Sequence, residues 1–281
     1  MNIIENMTYD EERSLYNLKD TKVIKCLFSG PKDGESVLKE ARNIEVVNSM
    51  FALRYPMWHV EKFILKDSSM NELSRAPIWY SHEGVIDSVK INSVKTLREC
   101  SNIVVKKSII DSIEFGWKCN NIAIEDSKIN SEYILFDSKN ISINNLEFTG
   151  KYSFQYIENL VITNSNLNTK DAFWHSKNVV VKNTVLKGEY LGWFSENLTL
   201  ENCKIIGTQP LCYCKNLKLV NCEMIDTNLA FEYSEVDAII KGEILSVKNP
   251  KSGRIEADSI KEIIRENSIM NDTCQIILKN K

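Results

Sequence analysis

The residues of this chain with the most chemical character fall into single file. Tryptophan occurs at Trp58, Trp79, Trp117, Trp174 and Trp193 and nowhere else. From Trp79 onward every gap is a multiple of 19, and Arg98, Phe136 and Gln155 occupy the intervening steps. A row that accepts Arg and Gln points outward, and large apolar side chains in a contiguous outward row mark a contact surface. Trp58, Trp79, Arg98, Trp117, Phe136, Trp174 and Trp193, with Tyr156 one residue beyond the row, are therefore the candidate ligand-binding residues. The next row carries His59, Tyr80, Glu99, Lys118, Asp137, Tyr156 and His175, and Asp171 lies three residues before Trp174. If these rows stand on neighbouring strands about 5 Å apart, their carboxylates can do acid–base work on a glycosidic bond. Glu99, Lys118, Asp137, Asp171 and His175 are the catalytic candidates on that ground.

The elements that must position these rows are set by the same period. Asparagine stands at Asn102, Asn121, Asn140, Asn159, Asn178, Asn197 and Asn216, each 19 beyond the last. Counting from each asparagine as position 0, positions 1 and 3 are apolar and mostly branched, as in Ile103 and Val105 or Ile122 and Ile124. Position 8 is also apolar. This alternation describes strands with one buried face, and no helical spacing accompanies it. Position 5 is Asp126, Asn145, Asn164, Asn183, Asn202 or Asn221, residues that tolerate left-handed backbone. Rows 0 and 5 are expected to be turns. Positions 6 and −2 hold small residues, position −5 is apolar or glycine, and the tryptophans occupy position −4. Repeats of this length indicate a solenoid. The expected fold is all-β, a single-stranded right-handed parallel β-helix with 19-residue coils and terminal caps.

One domain is expected over 1–281, with a cap at 1–19, coils over 20–257 and a cap at 258–281 whose segments form either a strand pair or a short helix. A first full coil fits Asp20 to Phe28. Gly30 to Ser36 is a turn-rich insertion, and the step from Lys62 to Glu83 is two residues longer than the period. After Asn216 the pattern loosens, with Phe231 placed in the tryptophan row and Glu235-Val236-Asp237-Ala238 matched to Arg254-Ile255-Glu256-Ala257.

The 281 residues carry a formal charge of −3, which gives no basic face for nucleic acid. No apolar stretch has the length of a membrane span, and the first residues lack the pattern of a secretory signal, so a cytoplasmic location is expected. No cofactor is implied. The eight cysteines fall mainly in small-residue rows: Cys100, Cys119 and Cys214 at −2, and Cys26, Cys203 and Cys222 at 6. They read as reduced core filling. Cys212-Tyr213-Cys214 has neither the spacing nor the histidine of a metal site, and no metal is expected.

The words Arg54-Tyr-Pro-Met-Trp-His59, Arg75-Ala-Pro-Ile-Trp-Tyr80, Glu114-Phe-Gly-Trp-Lys-Cys119, Lys170-Asp-Ala-Phe-Trp-His175 and Gly188-Glu-Tyr-Leu-Gly-Trp193 carry a resemblance over nearly the whole chain. It resembles the pectin-lyase-like superfamily of right-handed parallel β-helices, and within it a bacterial family known as a domain of unknown function. The resemblance implies the fold and assigns no activity. The Asn-Thr-Asp, Asp-Asp and Gly-His-Gly words of the superfamily's hydrolases are missing from this sequence, as are the clustered aspartates of its lyases.

Three functional readings remain at this level. The first is a non-catalytic solenoid whose aromatic strip binds a glycan or a protein. The second is a carbohydrate-active enzyme. The third is an oligomerising protein that buries the strip against its own copy. Parallel rings with spaces between them would fit a glycan, whereas a continuous apolar patch would fit a protein.

Overall fold

A computed structural model describes residues 1–30 and 34–279. Pro31, Lys32 and Asp33, the centre of the expected insertion, lie outside the described residues, as do Asn280 and Lys281. The described chain divides into two compact units, Met1–Ser142 and Ile143–Lys281. Each is an all-β parallel solenoid.

In the first unit the strands Asn2–Glu5, Lys19–Ile24, Arg42–Val47, Glu61–Lys66, His82–Asp87, Ser101–Lys106 and Asn120–Ser131 stack in parallel. Equivalent residues face each other: Ile44 stands on Phe63, Gly84 on Ile103, and Ile103 on Ile122. Gly84 is needed because Phe63 fills its place; a Cβ there would lie 2.2 Å from the ring. The long step before it is a single 3-10 turn, Glu72–Ser74, capped by the side chain of Asn71. Residues 1–19, the expected N-terminal cap, include strands that pair with the first full coil, Asn2–Glu5 on Thr21–Ile24 and Thr8–Tyr9 on Leu27–Phe28.

In the second unit Glu158–Thr163, Lys177–Lys182, Glu196–Glu201, Leu217–Ile225, Glu235–Lys248, Ser252–Ile264 and Gln275–Leu278 stack the same way. Its last strand pairs in parallel with Arg254–Ala257, so among the described residues the end is built from further strands with no helix. Ala238 faces Ile255, two residues away from the match drawn from the sequence. The cause is visible in the register. The strand Glu235–Lys248 lacks equivalents of the left-handed Asn216 and Asn221 of its predecessor, and its ladder slips between Leu219 and Cys222.

The rows expected to point inward do so. Ile103, Val105, Ile122, Ile124, Leu135 and Ile129 are buried in the first unit, and Leu198, Leu200, Leu211 and Ile205 in the second. Rows 0 and 5 are both left-handed, with φ of 57° at Asn102 and 52° at Asn202. Row 0, however, is not a turn. It is a kink inside a strand, since Asn102 lies within Ser101–Lys106 and pairing resumes at Ile103. Asparagine ladders hold these kinks: the Asn121 amide donates to Asn102 at 2.7 Å, Asn197 to Asn178 at 2.9 Å, and Asn202 to Asn183 at 3.3 Å. A further left-handed row stands at position −3, including Glu99, Lys118, His175 and Phe194.

The kinks at −3 and 5 explain the small residues that follow them. A left-handed residue turns two successive N–H groups toward the same neighbouring coil. At position −3 the Lys118 N–H reaches the Phe136 carbonyl at 2.9 Å. The Cys119 N–H behind it takes the Ser138 hydroxyl at 3.0 Å. Row 6 repeats the device, where the Ser108 N–H donates to Ser127 Oγ at 3.1 Å and Ser127 Oγ donates to its own chain at the Glu125 carbonyl. The hydroxyl rows thus satisfy buried backbone donors that have no carbonyl to meet. Cysteines enter these rows as free, buried thiols, with Cys214 Sγ donating to the Gly192 carbonyl at 3.1 Å.

Two outcomes test this account. Ile124→Asp places a charge without a partner between stacked coils and is expected to abolish cooperative unfolding. Ser138→Ala strands the Cys119 N–H and should cost about 1–3 kcal/mol in urea denaturation. A variant as stable as the parent would contradict the hydroxyl's role.

Candidate functional site

The tryptophan row stands outward and half-buried in both units, immediately before the left-handed row at −3. In the first unit its members touch in sequence. Trp58 and Trp79 have ring centroids 5.8 Å apart. The Arg98 guanidinium lies 5.1 Å from the Trp79 ring and 5.9 Å from Trp117. Trp117 then meets Phe136 at 5.0 Å. The planar, weakly hydrated cation therefore continues the stack where an indole is replaced. In the second unit Trp174 and Trp193 lie face to face, 5.5 Å apart and 6° from parallel.

A hydrogen bond fixes these rings. Trp79 Nε1 donates to the Lys95 carbonyl at 3.0 Å, Trp174 to Tyr190 at 2.7 Å and Trp193 to Gln209 at 2.7 Å. Gln155 makes the same bond, donating from Nε2 to the Asp171 carbonyl at 2.9 Å. Tryptophan and glutamine therefore share the row because each carries an N–H that reaches the carbonyl 16 residues on. Trp117 Nε1 departs from this pattern, being buried without an acceptor, and so does Arg98 Nε. Two residues that the 19-residue count reaches beyond Trp193, Cys212 and then Phe231, do not belong to the outward row. Cys212 is fully buried rather than outward. Phe231 is buried in register with the inward row, and Glu232 takes its expected place, since the Tyr213 N–H meets the Glu232 carbonyl as the Phe194 N–H meets that of Cys212.

The row at −3 differs between the units. In the second it is a ladder of rings: Tyr156 on His175 at 5.0 Å, His175 on Phe194 at 5.0 Å, Phe194 on Tyr213 at 4.8 Å, and Tyr213 on Tyr233 at 5.5 Å. The first three pairs are within 16° of parallel. Tyr156 and Phe194 remain 49% and 42% exposed. In the first unit His59 stacks on Tyr80 at 5.0 Å, after which the row continues as Glu99, Lys118 and Asp137.

The catalytic candidates are not assembled into a site. Glu99, Lys118 and Asp137 are exposed. Among the described residues Glu99 meets only Arg98, at 3.7 Å, and no hydrogen bond or ion pair orients the side chains of Lys118 and Asp137. His175 is held between two rings rather than beside an acid or base. Asp171 is buried between rows, and burial pushes its carboxyl above the ordinary range, with the Lys170 ammonium opposing and Glu189 assisting. Lys170 is already committed to Glu189 at 3.2 Å and to the Tyr190 ring.

The chain belongs to the DUF3737 family of proteins of unknown function, whose model matches residues 2–277. No curated protein matches the chain. Among solved structures it is similar to PfbA, a surface adhesin of Streptococcus pneumoniae, at 10% identity and a TM-score of 0.47, over 89% of this chain and 82% of that one. It is similar to the periplasmic alginate epimerase AlgG at 10% identity and a TM-score of 0.29, over 93% and 77%. The catalytic domain of a GH87 alpha-1,3-glucanase in complex with tetrasaccharides matches at 9% identity and 0.35, over 99% and 64%. These likenesses carry no argument about what this chain binds.

The rings are both exposed and tied down, so removing them has a structural cost that the outward pattern alone does not suggest. Trp193→Ala should lose about 1–2 kcal/mol through the lost stack and N–H bond, below the cost of a core truncation. Trp193→Phe should recover part of it in the same denaturation measurement. Asp171 gives a pH test. Its folded pKa lies above the unfolded one, so its ionisation disfavours the fold, and its contribution worsens as pH rises through the folded pKa. Asp171→Asn should therefore raise the unfolding temperature at neutral pH, with the gain vanishing in acid. A loss at neutral pH would contradict that sign.

Proposed function

We propose that the protein is a non-catalytic interaction solenoid whose outward aromatic rows are a rigid contact surface for another protein. The observation that carries this reading is how the rings are presented. A sugar stacks on an open aromatic face. Here Trp174 lies face to face with Trp193, His175 and Phe194 are stacked between rings at about one strand spacing, and Arg98 lies over Trp79, so these faces are already taken. In the second unit the result is a continuous, pre-ordered ladder of stacked rings bordered by polar rows. Such a patch suits protein contact, where ordered aromatic side chains act as anchors at small entropic cost.

The reading also fits the dispersed state of the titratable residues. Exposed Glu99, Lys118 and Asp137 serve as polar surroundings for the first unit's rings. They specify orientation better than they do chemistry.

A photoreactive phenylalanine analogue placed at Phe136 or Phe194 in producing cells tests the proposal. Irradiation should give covalent adducts with polypeptide from both positions and none from the control position Lys218. Absence of polypeptide adducts, together with retention of the parent on a polysaccharide resin, would overturn the reading in favour of a glycan.

A further inference from the structure

The second unit carries a charge pattern beside its ring ladder. Two residues beyond the row of Tyr156, His175, Phe194 and Tyr213, the chain places Glu158, Lys177, Glu196 and Lys215. These residues face one another in register from coil to coil: Glu158 with Lys177, Lys177 with Glu196, and Glu196 with Lys215. Glu235 and Lys251 continue the line, joined at 2.6 Å. The sign alternates at every step. Among the described residues, no ion pair engages Lys177, Glu196 or Lys215.

We propose that this face is closed by a second copy of the chain, running antiparallel about a two-fold axis between the coils of Glu196 and Lys215. The proposal rests on the reading that the aromatic rows contact protein, and it names that protein. A two-fold contact joins the same patch to itself. With the axis at this point, Glu196 meets Lys215 of the second copy, Lys177 meets Glu235, and Glu158 meets Lys251. All three symmetric sets are opposite in sign. The same axis sets Phe194 against Tyr213 and His175 against Tyr233, so ring edges meet ring edges along the same line.

The alternation also rejects other arrangements. Moving the axis by half a step, onto the coil of Glu196, sets Glu196 against itself and every further pair like against like. A two-fold axis parallel to the stack puts each charge opposite its own copy. A partner of uniform charge would find half the ladder repulsive. Charges of this exposed kind set register and orientation more than affinity, and the rings supply the contact.

Analytical ultracentrifugation of the full chain over a concentration series tests this. The parent should sediment as a reversible dimer. Lys215→Glu creates two symmetric like-charge contacts and should weaken the dimer about tenfold or more. Adding Glu196→Lys restores opposite signs and should recover the dimer, which a merely structural effect of either change would not do. A parent that stays monomeric overturns the proposal, as does a dimer insensitive to the reversal. If the parent is monomeric while Phe194 still crosslinks to a different polypeptide, the contact surface stands and self-pairing falls. Monomer without any polypeptide crosslink removes both.

Discussion

The structure depends on a backbone constraint at the corners of each coil. A parallel coil of 19 residues must change direction several times without breaking the ladder to the coils on either side. Single left-handed residues at −5, −3, 0 and 5 accomplish this, at positions such as Gly116, Lys118, Asn121 and Asp126. Left-handed backbone is unfavourable for most side chains, and asparagine tolerates it best. The kinks at −3 and 5 also leave a buried N–H facing a coil that offers no carbonyl. The hydroxyls of Ser138 and Ser127 supply the acceptors. Asparagine and serine rows are thus two halves of one solution, and strict repetition follows because each bond is made to the same position of the next coil.

That repetition also shapes the outer surface. Any side chain that works at one corner stacks on its equivalent about 4.8 Å away, which falls within the centroid separations of offset-stacked aromatic rings. The ring ladder from Tyr156 to Tyr213 and the pair Trp174 and Trp193 follow directly. The indole N–H bond to the carbonyl 16 residues on then holds the ring against the turn. The same contacts that order the rings also cover the ring faces that stack. Exposed catalytic candidates gain no such support, and Glu99, Lys118 and Asp137 stand as separate surface charges.

Much of the fold was legible because inward rows repeat with simple chemistry. Ile122 and Ile124, alternating and branched, declare a buried face without reference to anything distant. Row 0 was less legible, since an asparagine between two apolar words reads as a turn, whereas register shows Asn102 inside a strand. Phe231 was misplaced because the coil after Tyr233 drops its kink, and a count of residues cannot reveal a lost kink. The tryptophan row was visible as a spacing, but the reason for Gln155 within it was not. That reason is an N–H donor's reach to a carbonyl, a property of geometry across coils. The charge alternation along Lys177, Glu196 and Lys215 was present in the sequence throughout, yet it gains meaning only once those residues are known to stand in register.

The central claim, that the second unit's ring ladder is a surface covered by protein, is tested most directly by hydroxyl-radical footprinting read residue by residue. Exposed Tyr16 and Met7, which lie outside that unit, serve as internal references. As protein concentration rises, oxidation of Tyr156, His175, Phe194 and Tyr213 should fall together while the references stay constant. Equal oxidation of the ladder at every concentration, in purified protein and in extract alike, would contradict the claim.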